Sequence, residues 1–213
     1  STGGSSLVTA ALDDLSKKLV FESPLTDWII SRLDTTNILM TTKADSRIAG
    51  FSYLVNTQNG TSKKILGDLP GLTTNMSLDE KWLIYSVSRN NEFGSFVQNI
   101  ATGETKKLGV NTLPEKCVFS SKDTNIVFCA GPTEMPRTNL PESWYQGLTS
   151  LDDSLWKIDL STQKYDQILG DREESEESFD MIKLEISPND DFMLFVNKKD
   201  LTLWSLDISD IVR

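Results

Sequence analysis

The sequence predicts an all-β fold, a β-propeller with about four to five four-stranded blades, and three observations support this prediction. A unit of strand, polar turn and strand occurs five times along the 213 residues. Its spacing is near the 40–45 residues of common propeller repeats. No segment has the sustained periodicity of an amphipathic helix. We therefore expect residues 6–213 to form a single propeller domain or a propeller fragment, after a linker or expression remnant at residues 1–5.

The repeated unit sets the register of the blades. Its copies occupy residues 6–21, 51–66, 95–108, 154–169 and 201–207. The residues predicted to end the third strand of successive blades are Asp13, Asn56, Asn99, Asp159 and Asp207. They follow one another at intervals of about 43, 43, 60 and 48 residues, so one repeat carries an insertion of roughly 17 residues.

A second recurring unit is a tight hairpin, with clear copies at residues 75–86, 117–129 and 184–195 and a degenerate copy at 33–42. Ser and Asp supply the turns, because their side chains hydrogen-bond to nearby backbone. The strands that follow are continuously apolar, as expected between two blades. Trp82, Trp156, Phe195 and Trp204 are predicted to pack between blades, and Trp28 to begin the first strand of its blade.

In this register the chain begins with the third and fourth strands of one blade, continues through three full blades, and ends with three strands of another. Two strands and three strands do not combine into one four-stranded blade. Another chain or a missing segment that completes the propeller is therefore one expected partner.

Composition excludes several functions. The formal net charge is −10, which argues against nucleic acid and anionic membrane surfaces as partners. Histidine is absent, which removes Ser-His-Asp and Cys-His catalysis and His-ligated zinc. No apolar run approaches the ~20 residues of a membrane span, so we expect no direct membrane insertion within this chain. We expect no cofactor, no metal site and no catalytic residues.

The two cysteines flank one predicted hairpin. Cys117 and Cys129 are equidistant from residue 123 in the turn, so a symmetric hairpin places them opposite each other. Directly opposed residues are about 4.5–5.5 Å apart, which overlaps the span of a disulfide. We favour a disulfide, which would indicate an oxidising compartment. The alternative is two small buried thiols in neighbouring strands.

The insertion at residues 131–150 is the best candidate for a binding site. It contains three prolines and presents Arg137, Trp144, Tyr145 and Gln146, which are predicted to bind a partner. Aromatic residues and arginine on a rigid scaffold are typical of binding hot spots. The alternative is that Trp144 and Tyr145 fold back to plug the channel or to cover a blade edge.

Acidic clusters are weaker candidates. Asp152, Asp153 and the run 171–177 lack the oxygen spacing of a calcium loop, and a solvated loop is expected for the run. With 31 acidic residues, carboxylate pairs suited to glycoside hydrolysis arise by chance. A carbohydrate-active or hydrolytic propeller that uses channel carboxylates therefore stays open as an alternative.

Several segments carry a family resemblance. The turn at Ser187–Asp190, the strand at 192–195 and the strand at 203–207 resemble the WD40-like repeats of TolB-type propellers. The segments 112–118, 141–147 and 197–204 are similar to an uncharacterised group of extracytoplasmic bacterial propeller proteins. The resemblance implies a secreted, periplasmic or surface-anchored scaffold without established catalysis. It transfers no functional residues, and the Gly-His and Trp-Asp signatures of true WD40 repeats are absent.

Our first hypothesis for function is a non-catalytic propeller, not an enzyme, that binds a protein or surface polymer through its loops. The carbohydrate-active alternative and a structural half-propeller that completes a larger assembly stay open. An enzyme should bring two or more acids together with Arg or Tyr at one channel mouth, whereas a binding module should present an aromatic patch on a loop.

Overall fold

The computed structural model describes residues 3–13, 15–34, 36–90, 92–170 and 178–211 and consists of five successive antiparallel sheets. A first hairpin contains β1 (Ser5–Ala10) and β2 (Lys17–Ser23). Blade 1 contains β3 (Trp28–Arg32), β4 (Asn37–Thr42), β5 (Ala49–Asn56) and β6 (Ser62–Pro70). Blade 2 contains β7 (Thr73–Met76), β8 (Trp82–Arg89), β9 (Glu92–Asn99) and β10 (Thr105–Lys107).

Blade 3 contains β11 (Cys117–Phe119), β12 (Ile126–Pro132), β13 (Asp153–Asp159) and β14 (Lys164–Leu169). Blade 4 contains β15 (Met181–Ile186), β16 (Phe192–Asn197) and β17 (Leu203–Asp207). The described helices are a 3₁₀ turn at Pro114–Lys116 and the single-turn helix α1 at Glu142–Tyr145. The all-β propeller prediction is confirmed, and so is the division into a partial sheet, three full blades and a three-stranded blade.

The strand predicted to be third in each blade ends at the predicted residue in four of five copies. Strands β5, β9, β13 and β17 end at Asn56, Asn99, Asp159 and Asp207. In the first three, the Oδ1 atom accepts hydrogen bonds from the amides two and three residues further on. This side-chain cap explains why the position is Asn or Asp. The first copy differs, because β1 ends at Ala10 rather than at Asp13.

A hydrophobic cluster fills each of the four boundaries between successive sheets. Between the first hairpin and blade 1 lie Val20, Ile38, Met40 and Val55. Between blades 1 and 2, Leu39 packs with Leu83. Because successive strand residues point to opposite faces, β4 directs Ile38 and Met40 to the preceding sheet and Leu39 to the following one.

The later boundaries repeat this arrangement. Trp82 and Trp156 pack between blades 2 and 3, and Phe195 and Trp204 pack between blades 3 and 4. Trp28 begins β3 and packs against the cluster shared with the first hairpin. These positions confirm the predicted locations of the tryptophans. They also define two faces for each sheet, which we call the N-side face (toward the preceding sheet) and the C-side face (toward the following sheet).

The predicted disulfide is present. The register of β11 and β12 pairs Cys117 with Cys129, and their sulfur atoms are bonded. Both residues are buried in the cluster between blades 2 and 3. The bond therefore links the first two strands of the blade that carries the insertion.

We predict that the wild-type protein has no titratable thiols when it is denatured without reductant. The bond closes a loop with a sequence separation of 12. Reduction should lower the free energy of unfolding by about 3 kcal/mol, because the unfolded chain regains the entropy of that loop. Urea unfolding with and without reductant measures this change. The Cys117→Ala/Cys129→Ala variant is the control and should not respond to reductant. Two reactive thiols in the unreduced protein would contradict the disulfide.

Candidate functional site

The insertion between β12 and β13 folds down onto the propeller. Leu140, Trp144 and Leu151 are buried and form a separate cluster with Leu113, from the connection between blades 2 and 3. Trp144 is therefore folded back onto the propeller, as the alternative to a partner-binding role predicted. The helix α1, which carries Trp144 and Tyr145, becomes a fixed part of this end of the propeller.

A buried ion triad lies beneath the insertion. The Lys116 Nζ atom lies 2.6 Å from Asp153 Oδ2 and 2.6 Å from Asp180 Oδ1, and all three side chains are fully buried. Lys116 ends the 3₁₀ turn, Asp153 begins β13, and Asp180 immediately precedes β15. The triad thus joins the connections that lead into blades 3 and 4 to the end of the insertion.

Backbone and indole donors also hydrogen-bond to the aspartates, whereas Asp153 Oδ1 is, among the described residues, buried without a hydrogen-bond partner. The Trp144 Nε1 atom donates to the Asp180 carboxylate at 2.9 and 3.0 Å, and the Leu151 amide donates to Asp180 Oδ2 at 3.1 Å. The Met181 amide donates to Asp153 Oδ2 at 2.6 Å. Hydrogen bonds of this kind are required when charges are removed from water, since an unpaired buried charge costs several kcal/mol.

Two cations also contact the Trp144 ring. Lys116 Nζ lies 5.1 Å from the ring centroid and Lys198 Nζ lies 4.2 Å from it. Lys198 also donates to the Trp144 carbonyl oxygen. These are cation–π distances. Trp144 is consequently held by its ring, its Nε1 atom and its backbone, and it supports the surface without being part of it.

Tyr145 is the aromatic residue that the insertion presents to solvent. Its side chain keeps 39% of its surface exposed, and its hydroxyl donates to Glu115 Oε1. Burial of the hydroxyl and the nearby Glu115 charge raise the pKa of Tyr145. The hydroxyl therefore stays protonated and acts as a donor.

Glu142, at the start of α1, anchors the insertion to blade 1. Its Oε1 atom accepts hydrogen bonds from the Ser46 amide at 2.6 Å and from the Ser46 hydroxyl at 2.7 Å. Ser46 lies in the loop between β4 and β5. Within the described residues, the second carboxylate oxygens of Glu142 and Glu115 are buried without a hydrogen-bond partner.

Two cavities meet at Tyr145. The first has a volume of about 380 Å³ and is lined by Asp27, Lys43, Asp45, Glu142, Tyr145 and Gln146. The second, of about 320 Å³, is lined by Ile29, Ser31, Thr41, Thr74, Glu115 and Tyr145. Ile29 and Thr74 belong to β3 and β7, the first strands of blades 1 and 2. First strands line the central channel of a propeller, so we call this region the channel mouth.

The predicted binding residues separate into three environments. Tyr145 and Gln146 line the channel mouth, whereas Trp144 is buried beneath it. Arg137 is exposed further along the insertion and lines neither cavity. The site residues that sequence reasoning missed are Lys116, Glu115, Glu142 and Asp180. Asp153 was considered only with Asp152, as a weak calcium candidate.

One sequence signal does point to this site. Three segments that are far apart in the chain contribute to it. Segment 112–118 supplies Glu115 and Lys116, segment 141–147 contains the helix α1, and segment 197–204 supplies Lys198. All three segments meet around Trp144. The parts of the chain that carry the finer family resemblance are thus the parts that build the channel mouth.

The acidic clusters have other roles or lie outside the described residues. Asp152 pairs with Lys199, and Asp153 belongs to the buried triad. The run 171–177 lies outside the described residues. In the described ranges no three Cys, Asp or Glu side chains are grouped so that they could hold a metal ion. Those ranges also contain no helix with the length and apolar character needed to cross a membrane.

Comparison with solved structures supports the fold. The chain is similar to TolB from Acinetobacter baumannii, with a TM-score of 0.58, 13% identity, and coverage of 95% of this chain and 48% of that one. It is also similar to the uncharacterised protein lmo1340 from Listeria monocytogenes EGD-e, with a TM-score of 0.61, 14% identity, and coverage of 96% and 56%.

A third similar structure is an oligogalacturonate lyase from Vibrio parahaemolyticus, with a TM-score of 0.58, 13% identity, and coverage of 98% and 56%. The chain spans about half the length of these structures. No protein-family model matches it, and no curated protein matches it. At these identities the likeness establishes the propeller fold alone.

We predict that the triad makes stability depend on pH. Burial raises the pKa of Asp153 from 3.8 to about 6, and Lys116 opposes this effect. Between these two pH values the folded protein holds a proton that the unfolded chain has released. The free energy of unfolding should therefore fall as pH rises from about 4 to about 6, by up to ~3 kcal/mol, with no further loss from this group above that window.

Urea unfolding at several pH values measures this slope. Asp153→Asn should remove it, because the titrating group is gone. Asp152→Asn is the matched control and should keep it, since the Lys199 ion pair lowers the pKa of Asp152 and moves its titration below the window. An Asp153→Asn protein with the wild-type slope would contradict the assignment.

We also predict that Lys116→Met loosens the insertion. Two aspartates would lose their shared cation in a buried site, which should cost about 3–5 kcal/mol of stability. Arg137 lies in an exposed part of the insertion, so trypsin cleavage after Arg137 should become faster than in the wild type. Lys122→Met, in an exposed turn, is the control. Cleavage of the Lys116→Met protein at the wild-type rate would show that the triad does not hold the insertion.

Proposed function

We propose that this chain, which has the fold of TolB-type β-propellers, is a non-catalytic scaffold that binds a protein or surface polymer at its channel mouth. The observation that supports the proposal is that Tyr145 and Gln146 are exposed on a base that is held in place. Both are exposed, yet they directly follow Trp144, which the buried triad holds in place. A presented aromatic side chain on a rigid base is the arrangement from which binding hot spots are made.

The physical advantage of this arrangement is that the binding residues are preorganised. A ligand that binds a mobile loop loses affinity to the ordering of that loop, whereas a fixed residue avoids much of the cost. The two cavities beside Tyr145, of about 380 and 320 Å³, are also large enough to admit side chains or sugar rings of a partner. Tyrosine suits either partner, because it combines an apolar ring with a polar tip.

We further propose that the protein works in an oxidising, extracytoplasmic compartment. The support is the disulfide between Cys117 and Cys129. Disulfides persist in secreted and periplasmic proteins and are rare where thiols are kept reduced.

We predict that Tyr145→Ala weakens partner binding at least about tenfold while leaving the fold intact, because Tyr145 presents aromatic surface to solvent. Suitable probes are peptides selected from a random phage-displayed library against the wild-type protein, and oligosaccharides of four to six units. Affinity is measured by titration calorimetry, and stability by thermal unfolding.

Trp144→Phe serves as the comparison variant. It should lower stability, because it deletes the hydrogen bonds to Asp180, and it should affect affinity less than Tyr145→Ala in the fraction that stays folded. Arg137→Ala tests whether the distant part of the insertion contributes. Probes that bind Tyr145→Ala as tightly as the wild type would refute a binding site at the channel mouth.

A second candidate is a carbohydrate-active propeller, favoured by one observation. Glu115 and Glu142 both flank Tyr145, so two acids and a tyrosine converge at one channel mouth. The similar structure of an oligogalacturonate lyase makes oligogalacturonate a reasonable test substrate. Any chain cleavage releases a new reducing end. We expect none from the wild type; release that Glu115→Gln or Glu142→Gln abolishes would favour the enzyme over the scaffold.

A further inference from the structure

The buried triad contains one amine and two carboxyl groups, a composition that suits a chemical reaction as well as an ion pair. The Lys116 Nζ atom lies 2.6 Å from Asp153 Oδ2 and 2.6 Å from Asp180 Oδ1. One carboxylate is enough to neutralise one ammonium group, so the second carboxylate adds a negative charge to a fully buried site, where charge is costly. Acid–base chemistry on the other two groups gives this extra carboxyl group a role.

Asp180 has the surroundings of an acyl group that is ready to be attacked. Its Oδ1 atom contacts the amine of Lys116. Its Oδ2 atom accepts hydrogen bonds from Trp144 Nε1 at 3.0 Å and from the Leu151 amide at 3.1 Å, and the indole also lies 2.9 Å from Oδ1. Attack of the amine on the Asp180 Cγ atom places negative charge on Oδ2, where both donors already point. Preorganised donors of this kind stabilise the tetrahedral intermediate of acyl transfer.

Asp153 has the surroundings of a proton carrier. Its Oδ2 atom contacts the amine, and its Oδ1 atom is buried with no hydrogen-bond partner among the described residues. A protonated carboxyl group suits this environment, because protonation removes the surplus charge of the triad. Burial raises the pKa of Asp153 to about 6, so the group can both accept and release a proton near neutral pH.

The site also excludes water. The three side chains of the triad are fully buried, and the Trp144 ring lies over the amine, with its centroid 5.1 Å from Lys116 Nζ. Condensation to a neutral amide removes two charges from this dry site, and little water is present to reverse the reaction. The fold also holds the amine and the carboxyl group in contact, which replaces a slow encounter between two separate molecules.

We propose that Lys116 and Asp180 condense to an amide bond in the folded protein, with Asp153 as the proton carrier. Asp153 accepts a proton from the Lys116 ammonium group, and the resulting amine attacks Asp180 Cγ. The Nζ–Cγ bond forms, the Cγ–Oδ1 bond breaks, and the two protons that the ammonium group loses leave with Oδ1 as water. No atom is oxidised or reduced, and Asp153 ends as it began. The ion triad is the arrangement that precedes the bond.

The amide would link two blades covalently. Lys116 ends the 3₁₀ turn that leads into blade 3, and Asp180 lies 64 residues further on, immediately before blade 4. The disulfide, in contrast, joins neighbouring strands of one blade and is lost in reductant. The proposal is independent of any ligand at the channel mouth. Asp153 is not consumed, so it titrates both before and after the reaction.

Mass spectrometry of the reduced, denatured full chain tests the bond. The wild type should be lighter than its sequence by one water, and its tryptic digest should contain a branched peptide that joins Lys116 to Asp180. Asp180→Asn should be lighter by one ammonia instead, because the asparagine nitrogen becomes the leaving group.

Asp153→Asn should form the bond at least about 100-fold more slowly than the wild type, since a positioned proton carrier contributes about 10²–10⁴ to such a rate. The bonded fraction at successive times after a pulse of synthesis measures this rate. Asp152→Asn is the matched control. Asp152 is next in the chain but pairs with Lys199, so this variant should lose one water as the wild type does.

Three results would overturn the proposal. A wild-type chain with its full sequence mass would show that the triad is an ion pair and nothing more. Loss of water from Lys116→Met would place the dehydration elsewhere in the chain. Loss of water rather than ammonia from Asp180→Asn would make Asp153 the acyl group. The branched peptide identifies both bonded residues in the wild type, so the test does not depend on how well any variant folds.

Discussion

The structure of the channel mouth depends on one buried cation. Lys116 is fully buried and contacts two carboxylates, Asp153 and Asp180, from different parts of the chain. A lysine in this position has a large desolvation cost, which only well-placed partners can offset. Once they are in place, the connection into blade 3, the start of β13 and the entry to blade 4 occupy fixed relative positions. The insertion is then built on this base through Trp144 and Leu151.

This arrangement relates the scaffold to its binding surface. Propeller blades pack mainly through aliphatic and aromatic side chains, which hold sheets together but do not specify the path of a long loop. The polar network specifies it, because Asp180 accepts from the Trp144 indole and the Leu151 amide at the same time. Glu142 adds a second attachment to Ser46 in blade 1. Tyr145 is held between these two attachments.

The fold was predictable from the sequence, because its signals are local and repeated. The Asn or Asp at the end of each third strand caps its own turn, and the cysteine pair is opposed within one hairpin. The triad was not predictable in the same way. Lys116 and Asp180 are 64 residues apart, and only the stacking of blades 3 and 4 brings them together. The burial of Trp144 was foreseen as an alternative, but its partners were not.

In this account the insertion is a rigid part of the propeller. Hydrogen–deuterium exchange of the wild-type protein, followed by mass spectrometry, measures this rigidity. Amides of residues 143–151, including the Leu151 amide bonded to Asp180, should exchange as slowly as those of the blade strands β12 and β13. Exchange of these amides within seconds, while β12 and β13 stay protected, would contradict the claim.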